Sequence, residues 1–348
     1  IVRVFPAVEI PPAVRHDKHS GGFSFEFLFL SDRFSMNDSE PLSDNDSPER
    51  STGGKGLALL QLVRIPTVFT AMADIFLGFL LTHSTLEPIG TFAFLLGASV
   101  CIYWTGMILN DYFDREIDAQ DRPGRPIPSG RIPAVTALKL SVMLNVFGLG
   151  LAACAGALSL QIAIALTACV WLYDGALKKT PLAPVLMGSC RFFNVLLGAS
   201  AASTGAMWWC PQMHVALGLG IYVCGLTWFA RQEAKTSARA QLISASFVIN
   251  AGLATLFGFL LTAPDNSQRE TSMFVLAVIS VTIIRRLLRA ISQPEPARVQ
   301  TAIKTMLLSL VMLDATIVLF ATGTPALAIT VALLMIPAFL LARWIPMT

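Results

Sequence analysis

The sequence predicts an all-α fold, a polytopic transmembrane helical bundle, and three observations carry that reading. Only 14% of the 348 residues are charged and 54% are hydrophobic, whereas soluble domains carry about 25% charged residues. Apolar runs recur at about 20 residues, the length of a helix that crosses a hydrocarbon core of about 30 Å. The runs also lack the period-two alternation of a membrane barrel, and a lipid-facing backbone must satisfy its own hydrogen bonds.

Residues 1–55 differ in kind from the rest. The stretch Met36–Gly54 is rich in Ser, Asp, Pro and Gly and cannot bury a core, so residues 1–55 are expected to be a disordered polar tail. The chain opens on Ile and its first Met is Met36, so residues 1–35 are expected to be an upstream extension of the reading frame or an artefact of cloning. The apolar patch Phe23–Leu30 is too short to span a bilayer and has neither the flanks nor the cleavage site of a signal peptide.

Residues 56–348 form the membrane domain. Ten apolar segments follow in order: 57–82, 89–110, 133–156, 158–174, 183–203, 212–230, 240–263, 271–290, 301–321 and 325–343. The connections between them sort by charge. Arg115, Arg122, Arg125 and Arg131 follow segment two; Lys178 and Lys179 follow four; Arg231, Lys235 and Arg239 follow six; Arg285, Arg286, Arg289 and Arg298 gather around the end of eight. The intervening connections have almost no basic residues, Arg269 excepted. The positive-inside rule places the basic set in the cytoplasm. Lys55 and Arg343 then place both ends of this domain on the same side. No eukaryotic targeting segment is evident, and a bacterial inner membrane is the expected setting.

A formal net charge of +3, scattered over membrane loops, excludes a nucleic-acid partner. The six cysteines lie in or beside apolar segments without metal-ligand spacing and read as packing residues. The four histidines are isolated and carry no motif.

The acids are more informative. Of the thirteen acids beyond residue 50, five fall between Asp111 and Asp121, where segment two ends. On a helix Asn110, Asp114 and Asp118 are spaced i, i+4, i+8, and Asp111 lies within about 100° of them. Carboxylates so close raise one another's pKa unless a cation sits among them. An oxygen-only donor set favours Mg²⁺ or Ca²⁺ over zinc. Mg²⁺ is usually held by one or two carboxylates plus substrate phosphates, and Arg115, Arg122, Arg125, Lys178 and Lys179 lie on the same side. Acids, a metal and cations together suit the grip of a diphosphate. Within segment five, Arg191 and Asn194 are three residues apart and are expected to face a cavity, because an Arg inside a span is costly unless paired or wetted. Asp74 and Asp314 are further intramembrane acids with no partner evident in the sequence.

Asn110-Asp111-x-x-Asp114-x-x-x-Asp118, followed by Arg122-Pro-x-Arg125-Pro-x-Pro-x-Gly130, resembles the first signature of the UbiA family of membrane prenyltransferases. Leu62-Val-Arg-Ile-Pro66 is similar to that family's entry to its first helix, and Tyr173-Asp-Gly-Ala-Leu-Lys178 to a later motif. The resemblance covers roughly residues 57–343. It implies a bundle, typically of nine spans, around a central cavity that opens sideways to lipid; against the ten segments counted above, nine or ten spans are expected, either because one of the last four is not a full span or because this branch has an extra helix. It also implies that an isoprenyl group passes from a polyprenyl diphosphate to a small, possibly aromatic, acceptor with Mg²⁺. Carried over by position, Asn110, Asp111, Asp114 and Asp118 would hold Mg²⁺. Arg64, Arg122, Arg125 and Lys178 would meet the diphosphate. Asp111, Asp114, Asp118, Asp174 and Lys178 are the expected catalytic group. Tyr173 and Phe113 are candidates for shielding an allylic cation.

The family's second acidic motif, a pair of aspartates after span six, is replaced here by Arg231-Gln-Glu233-Ala-Lys235. Glu233 or Asp174 could hold a second ion, and Arg231 or Lys235 could supply charge in its place. The departure resembles a divergent, EboC-like branch whose acceptor is not the usual quinone precursor. Three other readings compete. A transporter or lipid-binding protein would use the same acids near the midplane. A CDP-alcohol phosphotransferase shares only the opening Asp174-Gly175 of its signature. A degenerate family member kept as a structural subunit would fit the missing aspartates.

Overall fold

The structure is a computed structural model, and it describes residues 54–202, 212–232 and 238–344. Residues 1–53 of the expected tail and Glu233 with Lys235 lie outside the described residues, while Gly54 and Lys55, placed in that tail from the sequence, cap and open the first helix. Twelve α-helices follow: α1 Lys55–Leu62, α2 Ile65–Leu80, α3 Ile89–Asp121, α4 Ala134–Ala155, α5 Ala157–Leu172, α6 Ala183–Ala199, α7 Gln212–Phe229, α8 Arg239–Thr262, α9 Arg269–Ser292, α10 Pro296–Thr322, α11 Pro325–Leu333 and α12 Met335–Trp344. A π-turn, Tyr173–Leu177, continues α5, and a 3₁₀ turn, Ala230–Gln232, continues α7.

All ten predicted segments are helical, but the first and last are each broken in two. Proline explains both breaks, because it lacks the N–H that would bond four residues back. Pro66 cannot bond Leu62, and α1 meets α2 at a bend of 42°. Pro337 cannot bond Leu333, and α11 gives way to α12 at Leu334. Among the described residues, seven helical stretches are long and apolar enough to cross a membrane, and the bent α1–α2 pair makes an eighth. The other two predicted spans lie outside that set. Helix α6 has 17 residues, and α9 carries Arg285, Arg286 and Arg289 along its second half.

Successive helices pack on one another from α2 to α10, and α10 returns to α2. Helix α6 crosses from its neighbours α5 and α7 to touch α2 as well, so the ring surrounds a central space. The turn between α4 and α5 is a single residue, Gly156, at φ +153°, which a side chain would strain. Large apolar side chains face outward, with Phe247 at 74% and Phe274 at 69% exposure. Such faces suit lipid rather than water.

The α2–α6 crossing depends on glycine. A Cβ on Gly78 would stand 2.1 Å from the Val195 carbonyl oxygen, and one on Gly198 would stand 2.7 Å from that of Ile75. Gly78→Ala is therefore expected to destabilise the protein by about 1–3 kcal/mol through overpacking, read as a lower thermal midpoint in detergent. Gly56→Ala, where a Cβ meets nothing within 4 Å, should leave the midpoint unchanged.

Hydrogen bonds tie the basic connections together at one end of the bundle. Arg131 donates to Gln61 Oε1 at 2.9 Å, Arg231 to the Lys179 carbonyl at 3.4 Å, and Arg239 to the Ser292 carbonyl at 3.1 Å. Contacts from Gln212 to the Leu81 carbonyl and from Asn266 to the Phe320 carbonyl tie the opposite end.

Candidate functional site

Helix α3 has 33 residues and is about 50 Å long, longer by about three turns than a hydrocarbon core of about 30 Å is thick, and its charged residues are confined to its last three turns. Those turns hold the predicted acids. Asn110, Asp111, Asp114 and Asp118 are all buried on one face, as the four-residue spacing requires.

Each acid has a cation. Arg64 Nη2 donates to Asp111 Oδ1 at 2.6 Å, and Arg125 Nη1 reaches the same oxygen at 3.5 Å. Arg125 also hydrogen-bonds Asp118 through the same nitrogen. Lys178 donates to Asp114 and, at 2.9 Å, to Asn110 Oδ1. Arg64 and Arg125 are only 2% and 1% exposed, so these are buried pairs and not the weak contacts of a wet surface. The cations come from three places. Arg64 sits in the break between α1 and α2 with φ +48°, a left-handed conformation that disfavours a side chain bearing Cβ. Arg125 comes from the loop after α3. Lys178 follows the π-turn, whose wider spacing sets Tyr173 and Lys178, five residues apart, on one side.

Burial pushes the Arg125 guanidinium down to about 9. Burial, and then the charges of Asp111 and Asp114, push the Asp118 carboxyl up to about 7, in a turn beyond the apolar segment that ends at residue 110. A nearby divalent cation would reverse that shift. The donor set fits such an ion. Asp111, Asp114 and Asp118 each spend one oxygen on a cation, and the other oxygen takes no hydrogen bond among the described residues. Among the described residues no three His, Cys, Asp or Glu side chains form a ready-made metal cage. That departs from a cluster of carboxylates closed around an ion, and the reason is the three intervening cations. It suits Mg²⁺, whose remaining ligands are water and phosphate.

A cavity with about 960 Å³ of open space, its mouth included, runs from this cluster into the bundle. Asn110, Tyr173 and Asp174 line its upper part, and Ile102, Val170 and Leu310 belong to its apolar wall. Deeper lie Ser99, Asp74, Arg191 and Asn194, about 15 Å along α2 and α3 from Arg64 and Asn110.

The deep group corrects two expectations. Asp74 and Asp314, without an evident partner in sequence, both bind Arg191, at 2.7 and 2.9 Å. Arg191 also donates to the Thr70 carbonyl at 3.1 Å, and Asn194 Nδ2 donates to Asp74 Oδ2 at 2.8 Å. Arg191 and Asn194 thus face the cavity as expected, in a separate polar centre below the acid cluster. Phe113 is exposed and stacks edge-on with Tyr112, so it does not line the cavity. Arg122 caps the end of α3 near Asp118. Arg231 lies in the 3₁₀ turn at the same end of the bundle.

Fold and site together define an integral-membrane helical protein with a cation-paired acid cluster at the mouth of an intramembrane cavity. The profile of the UbiA prenyltransferase family matches residues 71–311, and the chain belongs to that family. The chain is similar to digeranylgeranylglyceryl phosphate synthase of Methanopyrus kandleri, 34% identical over 156 residues, which are 43% of this chain and 56% of that protein. The Methanothrix thermoacetophila protein of the same name is 36% identical over 152 residues, 43% of this chain and 57% of its own. The chain thus spans a little over half the length of these curated relatives. Among solved structures, one concerned with digeranylgeranylglyceryl phosphate synthase in membranes superposes with a TM-score of 0.63 at 20% identity, over 78% of this chain and 99% of that one. A UbiA homologue from Archaeoglobus fulgidus bound to DMAPP and Mg²⁺ superposes with a TM-score of 0.54 at 12% identity, over 79% and 98%. These likenesses establish the fold.

Proposed function

We propose that this protein transfers an isoprenyl group from an isoprenyl diphosphate to the hydroxyl group of a lipid-precursor acceptor, in a Mg²⁺-dependent reaction at the cavity mouth. The observation that carries the reading is the acid cluster itself: three buried aspartates, each held by a cation, above an apolar cavity. Three acids and three cations cancel, so an arriving diphosphate brings uncompensated negative charge. Asp111, Asp114 and Asp118, with Asn110, would hold Mg²⁺ against it. When bound, Mg²⁺ would neutralise charge developing on the leaving diphosphate. Arg64, Arg125 and Lys178 add fixed positive charge in a site largely shielded from water, where it acts strongly on a transition state. The isoprenyl tail lies along the apolar wall, and Tyr173, buried at the mouth, offers an aromatic face to an allylic cation.

The acceptor reading draws on the relatives. Their product, by name, is a glyceryl phosphate bearing geranylgeranyl groups, which favours a hydroxyl over an aromatic ring. Basic connections gathered at the cluster's end favour the cytoplasmic face. The relatives named are archaeal and lend no support to a bacterial inner membrane.

The test is pyrophosphate release by purified protein in detergent with geranylgeranyl or farnesyl diphosphate. Release that stops on EDTA treatment and returns with Mg²⁺ is expected. Folded protein that releases none with any donor would overturn the reading.

A further inference from the structure

We propose that Asp174 is the general base that takes the proton from the acceptor hydroxyl as the new C–O bond forms. This inference rests on the prenyl transfer proposed above. Asp174 lies in the first turn after α5 and lines the cavity beside Asn110 and Tyr173. It therefore stands where the diphosphate cluster meets the apolar wall, the level at which C1 of an isoprenyl diphosphate must lie if its tail points inward.

Other acids at that level are committed. Asp111 is bound by Arg64, Asp118 by Arg125 and Asp114 by Lys178. Asp174 makes no hydrogen bond and no ion pair among the described residues, although Lys178, Asp114, Arg64 and Asp111 all lie within electrostatic reach. It is half-buried, and the Phe113 ring packs within 3.4 Å of the position a Cβ would take on its neighbour Gly175. Asp74 is too deep to serve, about 15 Å along α2 from Arg64. The Tyr173 phenol is a poor base, because a free phenol holds its proton to a pKa of about 10.

The step balances without another reactant. The acceptor oxygen attacks C1, and a C–O ether bond forms. The bond from C1 to the diphosphate oxygen breaks, and its electron pair leaves with the diphosphate. The attacking oxygen carries positive charge until its proton passes to the Asp174 carboxylate and from there to water at the mouth. A carboxylate without a competing hydrogen bond is free to accept that proton.

The test compares wild type, Asp174→Asn and Asp174→Glu in detergent with Mg²⁺, geranylgeranyl diphosphate as donor, and either geranylgeranylglyceryl phosphate or 4-hydroxybenzoate as probe acceptor. Donor affinity is measured separately with the inert thiolo analogue of the diphosphate. Asp174→Asn is expected to lower kcat for ether formation by about 10²–10⁴-fold, the range of general-base catalysis. Donor affinity, the Mg²⁺ concentration for half-maximal rate and the thermal midpoint should stay at wild-type values, and Asp174→Glu should recover part of the rate. A fall in donor affinity or a raised Mg²⁺ requirement in Asp174→Asn would make the residue a diphosphate or metal holder and overturn the proposal. Ether formation at the wild-type rate in Asp174→Asn, or transfer by wild type to a ring carbon of 4-hydroxybenzoate alone, would also overturn it. Wild-type protein that releases no pyrophosphate at all would instead sink prenyl transfer itself, and this step with it.

Discussion

Asp114→Asn is expected to reduce Mg²⁺-dependent pyrophosphate release by about 10²–10³-fold, the loss seen when one group that stabilises developing charge is removed. Asp114 binds Lys178 and would offer its other oxygen to the ion. The asparagine keeps the shape and an oxygen for Lys178, so the protein should still fold. It loses the negative charge that a divalent ion needs. Asp114→Ala is a less clean probe. It leaves Lys178 buried without its carboxylate, and removing one partner of a buried pair costs about 3–5 kcal/mol. The two variants together separate chemistry from folding. Both should lose release, but only the alanine variant should also melt earlier. Equal release by wild type and Asp114→Asn over a Mg²⁺ titration would remove Asp114 from the metal site.

Arg191→Leu is expected to be the most destabilising single change in the cavity wall. Asp74 and Asp314 are 1% and 0% exposed, and Arg191 is the guanidinium that holds both. Its loss leaves two carboxylates facing each other away from water. The expected cost is about 3–5 kcal/mol, several times that of an exposed pair, which is about 0–1 kcal/mol. A thermal scan in detergent or lipid nanodiscs would read it as a large drop in midpoint. Adding Asp74→Asn and Asp314→Asn to Arg191→Leu removes both stranded charges and should restore most of the loss. A triple variant no more stable than the single one would show that Arg191 acts through packing and not through charge.

The acid cluster was legible in the sequence because its logic is local. Four oxygen-bearing residues at helical spacing share a face wherever the helix goes, and Arg125 and Lys178 could be nominated from the same side of the membrane, whereas Arg64 was nominated only through the family resemblance. Eight of the ten predicted spans were legible for the same reason, since a run of apolar residues reports its own environment, whereas α6 and α9 are helical but fall short of the length or apolarity of a span. The Arg191 centre was only half legible. An Arg inside a span announces a buried partner, but Asp74 lies 117 residues before it and Asp314 123 residues after it, and no periodicity links positions so far apart. The two broken helices do carry a signal in the sequence. Pro66 and Pro337 each stand where one hydrogen bond must fail, yet the hydropathy of the flanking residues is uninterrupted and reads as one segment. The side on which Phe113 emerges was not legible either. It is one residue from Asp114, and a rotation of about 100° per residue is enough to turn a ring from the cavity to the outside.

The π-turn at Tyr173–Leu177 has a meaning for how such proteins diverge. A single-residue insertion into an α-helix need not unwind it, because a wider turn absorbs the extra residue. Here the wide turn closes the end of α5, so α5 keeps its packing and an added residue surfaces as one new side chain at the cavity rim. A lineage can therefore change what it presents to an incoming acceptor by one codon. On the function proposed above, the rim facing the acceptor could change in this way while the acid face of α3, set by its own four-residue spacing, stays as it is.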